Sequence, residues 1–69
     1  MDAKKLGKRI RLARVEADLT QTELANRIRA KQKSISRYET GAAIPTIDTL
    51  MKIAAALKKP AGHFLGELD

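Results

Sequence analysis

The stretch TQTELANRIRAKQKSISRYETG, residues 20–41, decides the fold. It opens on Thr20, with Glu23 three residues later. That spacing is a capping box: the Thr20 hydroxyl accepts from the Glu23 N–H while the Glu23 carboxylate reaches back to the Thr20 N–H. Leu19, just before the cap, is placed as a hydrophobic staple against Leu24. Leu24, Ala25 and Ile28 recur at helical spacing, and Ile35 and Tyr38 do so again. The stretch therefore reads as two short helices joined by a turn at Arg29-Ala30-Lys31. The second of them, residues 32–39, ends before Gly41, which stands where a left-handed residue is wanted. Helices with so short a connection cross steeply, and Ala25 is the small residue that a close crossing needs. With Leu24, Ile28, Ala30, Ile35 and Tyr38 facing inward, Gln32, Lys33, Ser34, Ser36 and Arg37 project outward.

Working outward, Leu6, Ile10, Ala13 and Ala17 form the apolar stripe of an earlier helix, which Asp2 can cap and which ends near Asp18. Beyond Pro45, Thr46 is the N-cap of a fourth helix whose apolar face is Ile47, Leu50, Ile53, Ala54 and Leu57. Pro60 closes that region, and a last short turn brings Phe64, Leu65 and Leu68 toward the core. The expected fold is all-α: one compact domain over residues 1–69, with five short helices and no strand.

A chain of 69 residues makes one small core, and no cysteine is present to staple it. A single histidine, His63, makes no zinc site, and no other metal or cofactor site is evident. No carboxylate pair, histidine dyad or phosphate loop points to an enzyme or a small-molecule ligand. The 14 Lys and Arg outweigh 8 Asp and Glu, and the pI is near 10.1, so a polyanionic partner is expected. Tyr38 and Phe64 are the only aromatics, too few for the stacking platforms that read single strands. Between Leu24 and Tyr38 lie five cations, Arg27, Arg29, Lys31, Lys33 and Arg37, and no acid. Such a run supplies affinity for a phosphate backbone through counterion release. No signal-like or membrane-spanning apolar run is seen, so a cytoplasmic location is expected.

Three segments, LTQTELANRI, SISRYETG and PTIDTLMKIAAAL, together resemble the Cro/phage-repressor helix-turn-helix family, often called the XRE family. The resemblance runs from about Leu6 to Leu65 and implies a five-helix domain that binds double-stranded DNA, usually as a homodimer on an inverted repeat. It implies that residues 32–39 lie in the major groove, with Gln32, Lys33, Ser34 and Arg37 at base-reading positions. Phosphate contacts are implied at Thr20, Gln21, Arg11, Lys31, Ser36 and Thr40. Arg14 and Glu39 match positions that form a partly buried ion pair. The side chains suit these roles: Arg37 can pair bidentately with guanine O6 and N7, and Gln32 with adenine N6 and N7.

The turn departs from the family pattern. Arg29 stands where glycine is usual, at a residue needing positive φ, and Lys31 replaces the usual Ser or Thr cap. Lys58 likewise stands where glycine usually ends the fourth helix. Arg29 and Lys31 would lower local stability while adding positive charge near DNA. The expected function is transcriptional regulation, as a repressor of prokaryotic or phage origin. An antitoxin whose main partner is a toxin is the alternative. Phe64, Leu65 and Leu68 are the expected dimer surface.

Overall fold

A computed structural model describes residues 2–65 of the chain, and its secondary structure there is helical throughout, with no strand among the described residues. Helix α1 spans Ala3–Glu16, α2 Gln21–Arg27, α3 Gln32–Thr40, α4 Ile47–Ala56 and α5 Gly62–Leu65. Each start has a local cause. The Asp2 carboxylate accepts from the N–H groups of Lys4 and Lys5 at 2.9 and 3.3 Å, and those bonds hold its pKa below the usual value. The Thr20–Glu23 box closes in both directions, at 3.0 and 2.9 Å. Its backbone bond from Thr20 lowers the Glu23 pKa. Thr46 accepts from the Thr49 N–H at 3.2 Å. Among α1 to α4, α3 alone starts without a side-chain cap, because Lys31 has no acceptor to offer.

The ends are equally specific. Gly41 closes α3 at φ +83°, a conformation that glycine adopts freely. Asp18, Arg29 and Lys58 take the same left-handed region at φ +59°, +57° and +58° after α1, α2 and α4. The expectation that Arg29 and Lys58 occupy glycine-like positions is met in the backbone itself. A left-handed residue bearing a Cβ costs about 1–2 kcal/mol, and a glycine there would add back about 0.5–1 kcal/mol of unfolded-chain entropy. Arg29→Gly is therefore expected to stabilise the domain modestly, raising Tm by roughly 4 °C in a thermal melt. An unchanged or lower Tm would show that the Arg29 side chain has stabilising contacts of its own.

The core gathers Leu6, Ile10 and Ala13 of α1, Leu24 and Ala25 of α2, Ile35 of α3, Leu50, Ile53 and Ala54 of α4, and Phe64 of α5. Leu19, Ile28 and Leu57 seal it from the connections, and Tyr38 and Ala30 pack against it half-buried. Three sequence expectations are corrected. Helix α1 stops at Glu16, so Ala17 is its exposed C-cap rather than part of the buried stripe. Ile47, expected on the inner face of α4, is 62 % exposed because no other element covers the first turn of that helix. Phe64, expected against the core and also counted toward a dimer surface, is 1 % exposed and belongs to the core alone, while Leu65 is half-buried. Leu68 lies outside the described residues.

One close approach sets how α1 sits on α3. A Cβ added to Gly7 would lie 2.4 Å from the Tyr38 carbonyl oxygen and 2.6 Å from that of Glu39. Only a hydrogen on that Cα lets the two helix backbones come together at this level.

Candidate nucleic-acid interface

Helix α3 is held from two sides, by α1 and by α2. Ile35 and Glu39, four residues apart, face inward and are buried. At 100° per residue the opposite crest consists of Lys33, Arg37 and Thr40, all exposed. Ser34 and Ser36 lie on the flanks and are half-buried, so they border the crest rather than top it. Lys33 and Arg37 stand one turn apart, an arrangement of like charges that weakens an isolated helix by a few tenths of a kcal/mol. A polyanion laid along the crest would turn that repulsion into attraction.

Behind the crest runs a continuous chain of polar contacts. Arg14 Nε donates to Glu39 Oε2 at 2.6 Å, and its Nη2 donates to Oε1 at 3.0 Å. This is a two-pronged pair, with side-chain exposures of 12 % and 3 %. The Glu39 hydrogen bond raises the Arg14 pKa. The remaining prong, Nη1, donates to the Leu19 carbonyl at 2.7 Å and so ties the α1–α2 connection to the same guanidinium. Glu39 Oε1 also accepts from Gln21 Nε2 at 3.1 Å, and Gln21 Oε1 accepts from Gln32 Nε2 at 2.6 Å.

The direction of every bond in that chain follows from its buried end. An ionised carboxylate only accepts. The Gln21 amide must therefore turn its NH2 toward Glu39, which leaves its oxygen facing Gln32. Gln32 must in turn present its NH2 to Gln21. Its second N–H and its oxygen remain unused by any contact in the chain, and these are the donor and acceptor that an adenine N7/N6 edge requires. Glu39, eighteen residues from Gln21 and exposed only 8 %, thus sets the orientation of a side chain at the rim of the site.

The other expected contact residues fall into distinct groups. Thr20 and Gln21 lie at the start of α2, where the first backbone N–H groups point out of the helix. Lys31 stands exposed at the start of α3. The Thr20 hydroxyl accepts within its capping box, and the Thr40 hydroxyl donates to the Arg37 carbonyl at 3.2 Å. Arg11 is set apart from the Gln21–Gln32 end: it lines a shallow depression on α1 with Lys8, Leu12 and Val15. Sequence reasoning placed Gln21 as a phosphate contact through its amide. In the structure both atoms of that amide are engaged within the protein, leaving the backbone N–H and one amide hydrogen. No sequence signal distinguishes a glutamine that relays polarity from one that simply favours helix.

Residues 10–64 match the family model described as helix-turn-helix. The chain belongs to the helix-turn-helix family. Within this family it is 44% identical over 63 residues to multiprotein-bridging factor 1 of Candida albicans, a match covering 90% of this chain and 42% of that protein. Among solved structures it is similar to PlcR of Bacillus thuringiensis, seen in complex with the peptide PapR7 and DNA. That likeness has a TM-score of 0.85 at 44% identity, covering 91% of this chain and 22% of PlcR. The restriction-modification controller protein C.AhdI of Aeromonas hydrophila superposes with a TM-score of 0.88 at 25% identity, covering 91% of each chain. The chain spans less than half the length of the Candida protein and about a fifth of PlcR. Relatives from Candida albicans and from bacteria show that this helix-turn-helix type is not confined to prokaryotes. No helix among the described residues is long and apolar enough to cross a membrane.

Proposed function

We propose that this helix-turn-helix protein binds double-stranded DNA sequence-specifically and acts as a transcriptional regulator, a repressor that occupies its operator. The observation that supports this most is the polarity chain from Arg14 through Glu39 and Gln21 to Gln32, which presets a base-reading amide beside the cationic crest of Lys33 and Arg37. In this reading α3 enters the major groove. Gln32, Lys33 and Arg37 reach base edges, with Ser34 beside them. The Thr20 side chain and the backbone N–H of Gln21, together with Lys31, Ser36, Thr40 and Arg11, meet phosphates. The antitoxin alternative has no support among the relatives named above.

The operator in this reading is an inverted repeat bound by two copies, their α3 helices about 34 Å apart. The domain measures 29 × 24 × 20 Å, so neighbours at that spacing abut. Among the described residues the exposed large apolar side chains are Leu12 and Val15 of α1 and Ile44, Ile47 and Met51 around the start of α4, and the second group is our candidate for that contact.

Selection from a random duplex library tests the reading. It is expected to enrich two half-sites in inverted orientation, bound with a steep loss of affinity as salt rises. Recovery of no common sequence, at any salt concentration, would leave a basic domain without base recognition.

A further inference from the structure

The far end of α2 carries a second feature: its Arg27 and Arg29 belong to the cationic run that favours a phosphate backbone, but none of the specific DNA contacts proposed above uses them. Where α2 ends against the C-terminal half of α4, the surface sinks into an open depression of about 680 Å³ lined by Arg27, Ile28, Arg29, Lys52, Ala55 and Ala56. Its floor is apolar: Ile28 is buried, and the alanines of α4 leave room where larger side chains would fill it. Its rim is cationic, and the three charged side chains are exposed. We propose that this depression is a docking site for an acidic peptide segment of a partner protein, one that inserts an apolar side chain between flanking carboxylates.

Charge complementarity selects the sign of the occupant. Among the described residues, none of the three rim cations is hydrogen-bonded to an acid. Arg27 weakly lowers the pKa of Glu23, whose carboxylate already accepts from the Thr20 N–H. The floor and the backbone select an amphipathic peptide over a bare phosphate. Phosphate sites use free backbone N–H groups at a helix start, but this is the end of α2. The N–H groups here are all taken within the chain: Ile28 bonds Leu24 and Ala25, Arg29 bonds Asn26, and Ala30 bonds Ala25. The left-handed backbone at Arg29, φ +57°, fixes a cation at the rim where glycine would be the less strained residue. The volume lies in the range of ligand-sized clefts, larger than one side chain fills, and its openness to solvent suits a segment laid across it. Gln21 starts α2 and Arg27 ends it, about 9 Å along the helix, so the two ends are separate surfaces.

The test uses a synthetic amphipathic helical peptide with leucines on one face and glutamates flanking them, titrated into the 15N-labelled domain. Amide shifts are expected at Ile28, Arg29, Ala55 and Ala56. The double variant Arg27→Glu/Lys52→Glu is expected to weaken binding at least tenfold, as is replacement of the peptide's leucines by serine. Ala55→Phe, which fills the floor and keeps every cation, is expected to do the same, with melting curves checking that the variants stay folded. The proposal is overturned if the shifts centre on α3, or if the serine peptide binds as well as the leucine one. It is also overturned if random-sequence duplex DNA moves the same amides and Arg27→Glu/Lys52→Glu weakens that binding as strongly, since the depression is then part of the DNA surface.

Discussion

Replacing Glu39 with alanine is expected to remove a large part of the domain's stability. Removing one partner of a buried ion pair costs about 3–5 kcal/mol, because the other charge is left desolvated without its counter-ion. Here the stranded group is the Arg14 guanidinium, 12 % exposed, which would keep only the Leu19 carbonyl. Domains of this size have total stabilities of roughly 3–10 kcal/mol. The variant should therefore melt at least 10 °C lower, since each kcal/mol is worth about 4–8 °C in a small domain. Glu16→Ala is the comparison: Glu16 is exposed at the end of α1, and surface changes of that kind stay within about 0.5 kcal/mol. Equal melting temperatures for the two variants would mean that the pair is ornamental. In a cycle with Arg14→Ala, the two losses should fall well short of additive, because each removes the same interaction.

Gly7→Ala is the second large effect, and two opposed terms decide its sign. Alanine is favoured over glycine inside a helix by about 0.8–1 kcal/mol, so a reading of α1 in isolation predicts a more stable protein. The added methyl, however, would meet two backbone carbonyl oxygens of α3 at 2.4 and 2.6 Å. Neither can rotate away as a side chain would, so the helices must separate. Overpacking costs about 1–3 kcal/mol, occasionally more, and here it acts against backbone. The net expectation is a loss of about 2 kcal/mol, read as a Tm lower by roughly 10 °C. Binding to a selected DNA site should fall as well, because the same movement draws Arg14 away from Glu39. A rise in Tm would show that α1 can shift on α3 at little cost.

Much of the fold is legible from the chain because its signals are local. The Thr20–Glu23 box, the caps at Asp2 and Thr46, and the left-handed stop at Gly41 each depend on a few neighbouring residues, whereas the left-handed stops at Arg29 and Lys58 came from the family pattern. The pairing of Arg14 with Glu39, 25 residues apart, came from family resemblance rather than from spacing, and the structure contains it. What stayed hidden is tertiary. Periodicity identifies the apolar face of a helix but not which part of it a neighbour covers. Ile47 sits on the expected stripe and is exposed, while Phe64, whose place in the pattern suited both the core and a dimer surface, fills the core. Gly7 lies in a helical pattern without any mark of the close approach it permits. The orientation of Gln32 depends on two residues from two other helices, Arg14 and Gln21, and a carboxylate at the far end of its own, which no spacing rule connects.

The central claim is that α3 reads bases through side chains held in place from behind, and the most direct test is Arg37→Ala against Lys31→Ala. Each variant is measured on a selected site and on every single-base substitution within it. Arg37→Ala is expected to lose about 1–3 kcal/mol of binding and to relax preference at one base position. Lys31→Ala is expected to weaken binding to every sequence alike and to reduce the salt dependence by about one ion. If Arg37→Ala weakens all sequences equally and leaves every base preference intact, α3 is not the reading helix and the account fails.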